Sequence, residues 1–329
     1  MGQPLLFLDA DAVARSLPWQ PLIDALRRAF LEGDANVPRR LHYALEGTAV
    51  ASSPVLLLMP AWSAGLGVGT KLVSVFPGNA ERGLPSVQGL YLLMDAATGR
   101  PLAVLEGGEL TARRTAAASA LASACLSRPD SRCLLMVGTG RLARVLPKAH
   151  AHTRPIELVR VWGRSPEKAE EAARALRADG LNAEAAPSLP DAMARADIVS
   201  CATLSTEPLV RGEWLRPGTH VDLVGAFTPA MRETDAAVFA RAAAVWCDTL
   251  EGALAEGGDI VQAAAEGCFS IRAIAGDMAE LCRTGTVARG GAADITVFKS
   301  VGMALEDLVA ARLAVDVHNA EVPGSGAKE

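Results

Sequence analysis

Long basic runs are missing from this chain, and so is a strong excess of either charge. Thirty-two Lys and Arg stand against 37 Asp and Glu, a formal net charge of −5 over 329 residues. That balance excludes nucleic acid as a main partner, because a phosphate backbone is held by clustered cations. No uninterrupted apolar run reaches the roughly 20 residues that a bilayer-spanning helix needs. The N-terminal stretch MGQPLLFLDADAV lacks a basic leading segment and a full apolar stretch, so it does not read as a signal peptide. A soluble cytoplasmic protein with no membrane partner is the expectation. The cysteines Cys125, Cys133, Cys201, Cys247, Cys268 and Cys282 form no C-x-x-C pair and lie mostly in apolar segments. Free buried thiols are expected, with neither a disulfide framework nor a metal site. Aromatics make up only 4% of the chain, and Ala, Leu, Val and Gly carry most of an apolar content of 50%. Such a composition suits a substantial core of helices packed on a sheet.

From about Arg132 to Ser300 short apolar runs alternate with Ala-rich amphipathic stretches. CLLMV (133–137), LVRVW (158–162), DIVSC (197–201), HVDLV (220–224) and AAVWC (243–247) have the spacing of parallel strands. Between them lie segments such as SPEKAEEAARALRADG, with apolar positions at helical period and a closing Gly180. The alternation predicts an α/β fold, a Rossmann-type doubly wound sheet with helices on both faces. The first 130 residues differ: a helical pattern at 18–33 precedes strand-like runs at 54–58, 67–76, 87–95 and 101–106. GELTARRTAAASALASACLS then reads as a helix leading into the sheet domain, and VGMALEDLVAARLAVDVHNA as a helix returning to the first. A discontinuous α+β domain, 1–127 with 301–329, is therefore expected beside a dinucleotide-binding domain at 128–300. The tail PGSGAKE should be loose.

LLMVGTGRLARVL places Gly138-Thr139-Gly140-Arg141-Leu142-Ala143 directly after a strand and at the start of a helix. The first glycine permits a tight turn, the second lets the backbone approach a pyrophosphate, and Ala143 allows close helix–strand packing. Strand, helix and following strand all fit, so a dinucleotide site is read here. The second strand ends VRVWGRSPEKAEE, with Gly163-Arg164-Ser165 where an acidic residue would hold a ribose 2′-hydroxyl. Arg164 suits a 2′-phosphate and Ser165 can donate to it, which favours NADPH over NADH; Ser165 also reads as the N-cap of the next helix. Val224 closes the strand VDLV, and the turn after such a strand borders the ligand crevice.

Taken together, LLLMPAW, GTKLVSVFPGN, GELTARRTAAASALA, VGTGRLA, VWGRSPEKAEE and ITVFKSVGMALEDLVAAR resemble the ornithine cyclodeaminase/mu-crystallin family, from about Pro38 to Arg312. The resemblance implies a Rossmann domain plus a substrate domain built from both chain ends, commonly in homodimers joined through sheets of the substrate domains. It also implies a nicotinamide as hydride partner and an imine carbon bearing a carboxylate. Arg40, Lys71 and Arg114 match the family's substrate-carboxylate residues, and guanidinium groups grip a planar carboxylate bidentately. Lys71 interrupts an apolar strand pattern, an expensive place for an unpaired ammonium. Arg39 and Arg113 read as solvated or salt-bridged neighbours. A proton for the imine nitrogen would come from Lys71 or an ordered water. Thr115 and Thr203 match positions near the cofactor, and Ser300 one near nicotinamide and substrate. Glu306 and Asp307 read as facing solvent or capping, without acid–base work.

Two departures bear on the reaction. Ornithine cyclodeaminases carry a glutamate two residues before their Met-Pro, where this chain has Leu57, and an aspartate where it has Phe227. Either carboxylate would meet the substrate's free amine; without them that amine is left unpaired, at a cost of roughly 1–3 kcal/mol. A pocket lined by Leu57 and Phe227 suits an apolar ring, and GAFTPAMRE is similar to the imine-reductase members. The expectation is reduction of Δ1-pyrroline-2-carboxylate, with Δ1-piperideine-2-carboxylate as a second substrate, to L-proline or L-pipecolate. An alanine dehydrogenase-like reaction, an ornithine cyclodeaminase and a non-enzymatic mu-crystallin-like binder stand as alternatives.

Overall fold

The computed structural model describes residues 5–45 and 54–321; the tail expected to be loose lies outside them. Backbone packing divides the chain into two compact units, Met1–Arg114 with Met303–Glu329, and Thr115–Gly302.

In the first unit β1 (Leu6–Leu8) leads into α1 (Ala10–Ser16) and α2 (Trp19–Glu32), followed by β2 (Leu41–Ala44), β3 (Val55–Ser63), β4 (Gly67–Val75), β5 (Val87–Met94) and β6 (Pro101–Glu106). The sheet order is β1-β6-β5-β4-β3-β2, antiparallel except where β1 runs parallel to β6. Period-two alternation sends Gly69, Lys71 and Val73 to a buried face, with Met59 opposite Lys71 on β3 and Tyr91 opposite it on β5. The chain's last helix packs on that face, against β3, β4 and β5, and also meets α1 and α2. It is buried almost all round from Ala304 to Ala311. The opposite face carries Leu56, Leu58, Leu72, Leu90 and Leu92, and among the described residues no helix of this unit packs on it.

The helix α3 (Gly107–Leu126) starts where Glu106 turns back, its carboxylate accepting from the N–H groups of Gly108 and Glu109. Its alanines, among them Ala116, Ala117 and Ala120, are fully buried and let neighbours approach closely. The division between units falls inside this helix, whereas the sequence places it at the helix's end.

The second unit continues with β7 (Cys133–Val137), α4 (Leu146–Ala151), β8 (Leu158–Trp162), α5 (Pro166–Ala178), β9 (Ala183–Ala185), α6 (Leu189–Met193), β10 (Ile198–Cys201) and β11 (His220–Leu223). It closes with α7 (Ala236–Arg241), β12 (Ala244–Cys247), α8 (Leu250–Glu256), α9 (Gly258–Ala265), β13 (Ile274–Gly276), α10 (Met278–Thr284) and β14 (Thr296–Lys299); α11 (Ala304–Glu321) is the helix returned to the first unit. All pairings are parallel, in the order β13-β12-β14-β11-β10-β7-β8-β9. The five strands read from the sequence are there, within a residue of their expected bounds. The chain leaves β7 toward β8 and later returns to its other side with β10, which makes the C-terminal ends of β7 and β10 the switch point where a crevice opens. All six cysteines are free; Cys268 is exposed, Cys133 half-buried and the others buried.

Candidate active site

Lys71 is only 2% exposed, and a buried ammonium needs a counter-charge. α11 brings one: Lys71 Nζ lies 3.0 Å from Asp307 Oδ1 and 2.8 Å from Oδ2. From α3, Arg114 donates through Nε to Asp307 Oδ1 at 2.9 Å and through Nη1 to Glu306. Residues far apart in sequence thus form one buried cluster, with Asp307 shared between two cations. The reading of Glu306 and Asp307 as solvent-facing is corrected: they are 1% and 0% exposed. Both stand in the first turn of α11, where the helix dipole favours negative charge. Arg40, half-buried just before β2, is close enough for its charge to act on Lys71. Burial first, then the Arg114 charge, lowers the Lys71 pKa to about 8; Asp307 pulls the other way, and Arg40 lowers it further. Leu57 is half-buried opposite Val73, hence on the same sheet face as Lys71 and one rung away. Arg113 is engaged elsewhere, pairing with Glu109, donating to the Leu17 carbonyl and stacking 4.8 Å above the Trp19 ring.

One group in this unit had no sequence signal at all. Tyr91 is fully buried, and its hydroxyl meets no hydrogen-bond partner among the described residues. Its ring lies across Gly69, where any side chain would overlap the phenol. Burial, and then the Asp307 charge, pushes its pKa well above the usual phenol range.

In the second unit Gly138 takes φ +123°, and a Cβ there would stand 2.6 Å from the Ala202 carbonyl oxygen and 3.3 Å from Thr203 Cγ2. Only glycine lets the turn after β7 press against the loop after β10. Gly140 has the opposite surroundings, with nothing within 4 Å of an added Cβ. Among the described residues the N–H groups of Gly140, Arg141 and Leu142 meet no backbone or side-chain acceptor. Bare donors around an open glycine are the cradle a pyrophosphate needs, so these residues fit a dinucleotide. The expected helix is corrected, however: Arg141–Arg144 is a single 3-10 turn, with Ala143 buried, and the helix after it begins only at Leu146. Thr139 packs against Gly163 at the end of β8, where a Cβ would come within 2.5 Å of Thr139 Cγ2.

Arg164 is exposed just beyond β8. The Ser165 hydroxyl is already in use, accepting from Lys168 N–H as the N-cap of α5 and donating to Glu167 at 2.6 Å. Its expected donation to a 2′-phosphate therefore competes with Glu167. Val224 is buried, its N–H bound to the Cys201 carbonyl at 2.8 Å. Phe227 is 39% exposed in the loop beyond it. Ser300 is buried at the end of β14, its N–H bound to the Leu223 carbonyl, with the next turn held by Asp248 through the N–H groups of Val301 and Gly302. It does not cap α11, which starts at Ala304. Thr115 is buried on α3 next to Arg114.

Sequence reasoning missed Glu233. It is fully buried, accepting on Oε1 from the N–H (2.6 Å) and hydroxyl (2.8 Å) of Thr203 and on Oε2 from Gly225 N–H (2.7 Å). Burial raises its pKa to about 7, with Lys299 opposing and Asp259 adding to the shift. Asp259 and Lys299, 3.2 Å apart, are also completely buried. Among the described residues no group of three His, Cys, Asp or Glu is placed to hold a metal ion.

Residues 7–321 match the model of the ornithine cyclodeaminase/mu-crystallin family. The chain is 41% identical over 304 residues to a Δ1-pyrroline-2-carboxylate reductase of Paracoccus denitrificans, covering 92% of this chain and 93% of that protein. Among solved structures it resembles the Δ1-pyrroline-2-carboxylate reductase of Thermococcus litoralis in complex with NADH and L-proline, with a TM-score of 0.89 and 33% identity over 96% of this chain and 98% of that one. It also resembles an archaeal alanine dehydrogenase dimer with bound NAD, with a TM-score of 0.87 and 27% identity over 96% of this chain and 97% of the other.

Proposed function

The chain belongs to the ornithine cyclodeaminase/mu-crystallin family, and from that premise we propose that it is an NAD(P)H-dependent reductase of small cyclic imine carboxylates. Its substrate is Δ1-pyrroline-2-carboxylate, with Δ1-piperideine-2-carboxylate as a second, and its products are L-proline and L-pipecolate. The observation that carries the proposal is the buried Lys71–Asp307–Arg114 cluster, with Leu57 on the same sheet face where a cyclodeaminase would need a carboxylate.

A nicotinamide dinucleotide held at the turn Gly138 to Ala143 would supply the hydride that the imine carbon takes up. Arg114 and Arg40 hold the substrate carboxylate, and the guanidinium plane fixes which face of the ring is presented. Lys71 holds a proton for the imine nitrogen; a pKa of about 8 keeps it largely protonated at neutral pH and makes it a far better donor than an ordinary lysine. Asp307 orients Lys71 and Arg114 together and keeps the ammonium charged. Leu57 offers an apolar ring an uncharged neighbour on the Lys71 face of the sheet.

The dinucleotide is held by the turn Gly138 to Ala143, with Thr115, Thr203, Val224 and Ser300 on the nicotinamide side. Relatives of known structure carry NADH or NAD; in this chain Arg164, with no acidic residue beside it, supports a preference for NADPH. The protein acts as a homodimer through the uncovered face of the six-stranded sheet, which presents Phe7 and Leu90 at 63% and 47% exposure. No helix among the described residues is long and apolar enough to cross a membrane, and we place the reaction in the cytoplasm, with a small imino acid as the partner.

The test is NADPH and NADH oxidation by purified protein with five- and six-membered cyclic imine carboxylates, pyruvate with ammonia, and ornithine. Turnover of the cyclic imines with NADPH favoured is expected. Ornithine deamination without imine reduction would overturn the proposal, and turnover only of pyruvate with ammonia would transfer it to the alanine dehydrogenase reaction.

A further inference from the structure

We propose that Glu233 is a positioning residue that shapes the dinucleotide crevice by pinning the loops after β10 and β11 to one another. The inference rests on the reading of the second unit as a dinucleotide-binding domain.

Three donors from two loops converge on this one carboxylate: the Thr203 N–H and hydroxyl on Oε1, and the Gly225 N–H on Oε2. A buried carboxylate is costly unless its lone pairs are met, and here loop backbone meets them. The loops are in backbone contact as well, since a Cβ on Gly225 would overlap Thr203 and the Glu233 carboxylate. Glu233 is itself fixed from behind. Asp259 Oδ1 accepts from the N–H groups of Glu233 (2.7 Å) and Thr234 (2.9 Å), and its Oδ2 faces Lys299 Nζ at 3.2 Å. The chain of contacts then runs forward to the phosphate turn, because Gly138 lies against Ala202 and Thr203. One carboxylate therefore ties the ends of β10 and β11 to the turn after β7, the three strand ends that border the switch point.

The arrangement also limits what Thr203 can do. Its N–H and its only hydroxyl proton both go to Glu233, so Thr203 can serve a nicotinamide only as an acceptor or through packing. Its place in the site depends on Glu233.

The experiment measures NADH and NADPH dissociation constants by nucleotide fluorescence, with kcat and both KM values, for the wild type and Glu233→Gln. The amide keeps the size but turns an N–H group toward loop donors. Expected is a roughly tenfold or greater weakening of dinucleotide binding. Alongside it, the KM for the imine should be unchanged and kcat at saturating NADPH within about twofold of wild type, a split that general destabilisation does not give. Thr203→Val, which removes only the hydroxyl donor, should move binding in the same direction by a smaller factor, and it decides the matter if Glu233→Gln does not fold. Wild-type protein that binds neither nucleotide would refute the dinucleotide reading itself. Wild-type binding with no change in the folded variants would overturn the pinning role alone.

Discussion

Replacing Asp307 with Asn tests the proposed proton donor most directly. Lys71 Nζ sits 2.8 Å from the carboxylate, at a site where burial and Arg114 already lower its pKa to about 8. At an effective dielectric of about 20 the attraction at that distance is roughly 6 kcal/mol, an upper bound on what the charge supplies. Removing one partner of a buried pair costs roughly 3–5 kcal/mol in practice. Taking ~3 kcal/mol against the ammonium form alone gives a factor of ~100 in the ammonium-to-amine ratio. The alkaline limb of kcat/KM for imine reduction should then move from about 8 in the wild type to roughly 6 in the variant. Activity should fall ~10-fold at pH 7 and approach ~100-fold at pH 9. Lys71→Met supplies the reference, a slow rate with no such limb. If Asp307→Asn keeps the wild-type limb, Lys71 is not the donor that Asp307 sustains. Stability provides a second readout. The folded pKa lies below the unfolded value of 10.5, so the unfolded chain binds more protons between about 8 and 10.5. Unfolding free energy from this group therefore rises with pH across that window, and the cost of burying the ammonium is fully present below it. Urea titrations of wild type and Lys71→Met should diverge in this sense, and parallel pH curves would refute it.

Arg164→Glu should raise the KM for NADPH roughly tenfold or more and leave NADH nearly unaffected, through lost pairing with the 2′-phosphate; equal effects on both would remove Arg164 from the cofactor reading. Tyr91→Phe should leave imine reduction unchanged and stabilise the protein by about 1 kcal/mol, because a buried hydroxyl without a partner is deleted; a loss of activity instead would mean that the phenol meets the substrate. Leu90→Glu should convert the proposed homodimer to a monomer in size-exclusion light scattering, since the residue stands half exposed on the sheet face away from α11; a variant that stays dimeric would put the interface elsewhere, and a wild type that runs as a monomer would refute the dimer itself.

What was legible in the sequence was whatever leaves a local pattern. Parallel strands buried on both faces read as continuous apolar runs, so CLLMV and AAVWC stood out almost to the residue, while LVRVW alternates buried and half-buried positions around Arg160. The three-residue edge strands β9 and β13 were too short to show a period. Lys71 stood out because a charge interrupts an apolar strand. Glu306 and Asp307 did not, because two acids in the first turn of a helix are ordinary on a surface, and nothing local says that α11 lies against the sheet. Glu233 was hidden for the same reason: its donors come from residues 203 and 225, which only the folded sheet brings together. Pro147, at the first turn of α4, agrees with a helix that starts late after the phosphate turn.

The two acids that escaped notice also bear on the substrate. Arg40, Lys71 and Arg114 alone would favour any anion, including a dicarboxylate. With Glu306 and Asp307 buried against Lys71 and Arg114, carboxylates already stand inside that positive cluster. A second carboxylate on the substrate would be buried beside Glu306 and Asp307, like charges that disfavour it. A free terminal amine would meet Leu57 on this face, with no acceptor at that position. The uncharged ring of a cyclic imine carboxylate avoids both penalties, so Asp307, which favours the charged form of Lys71, also disfavours a substrate with a second carboxylate.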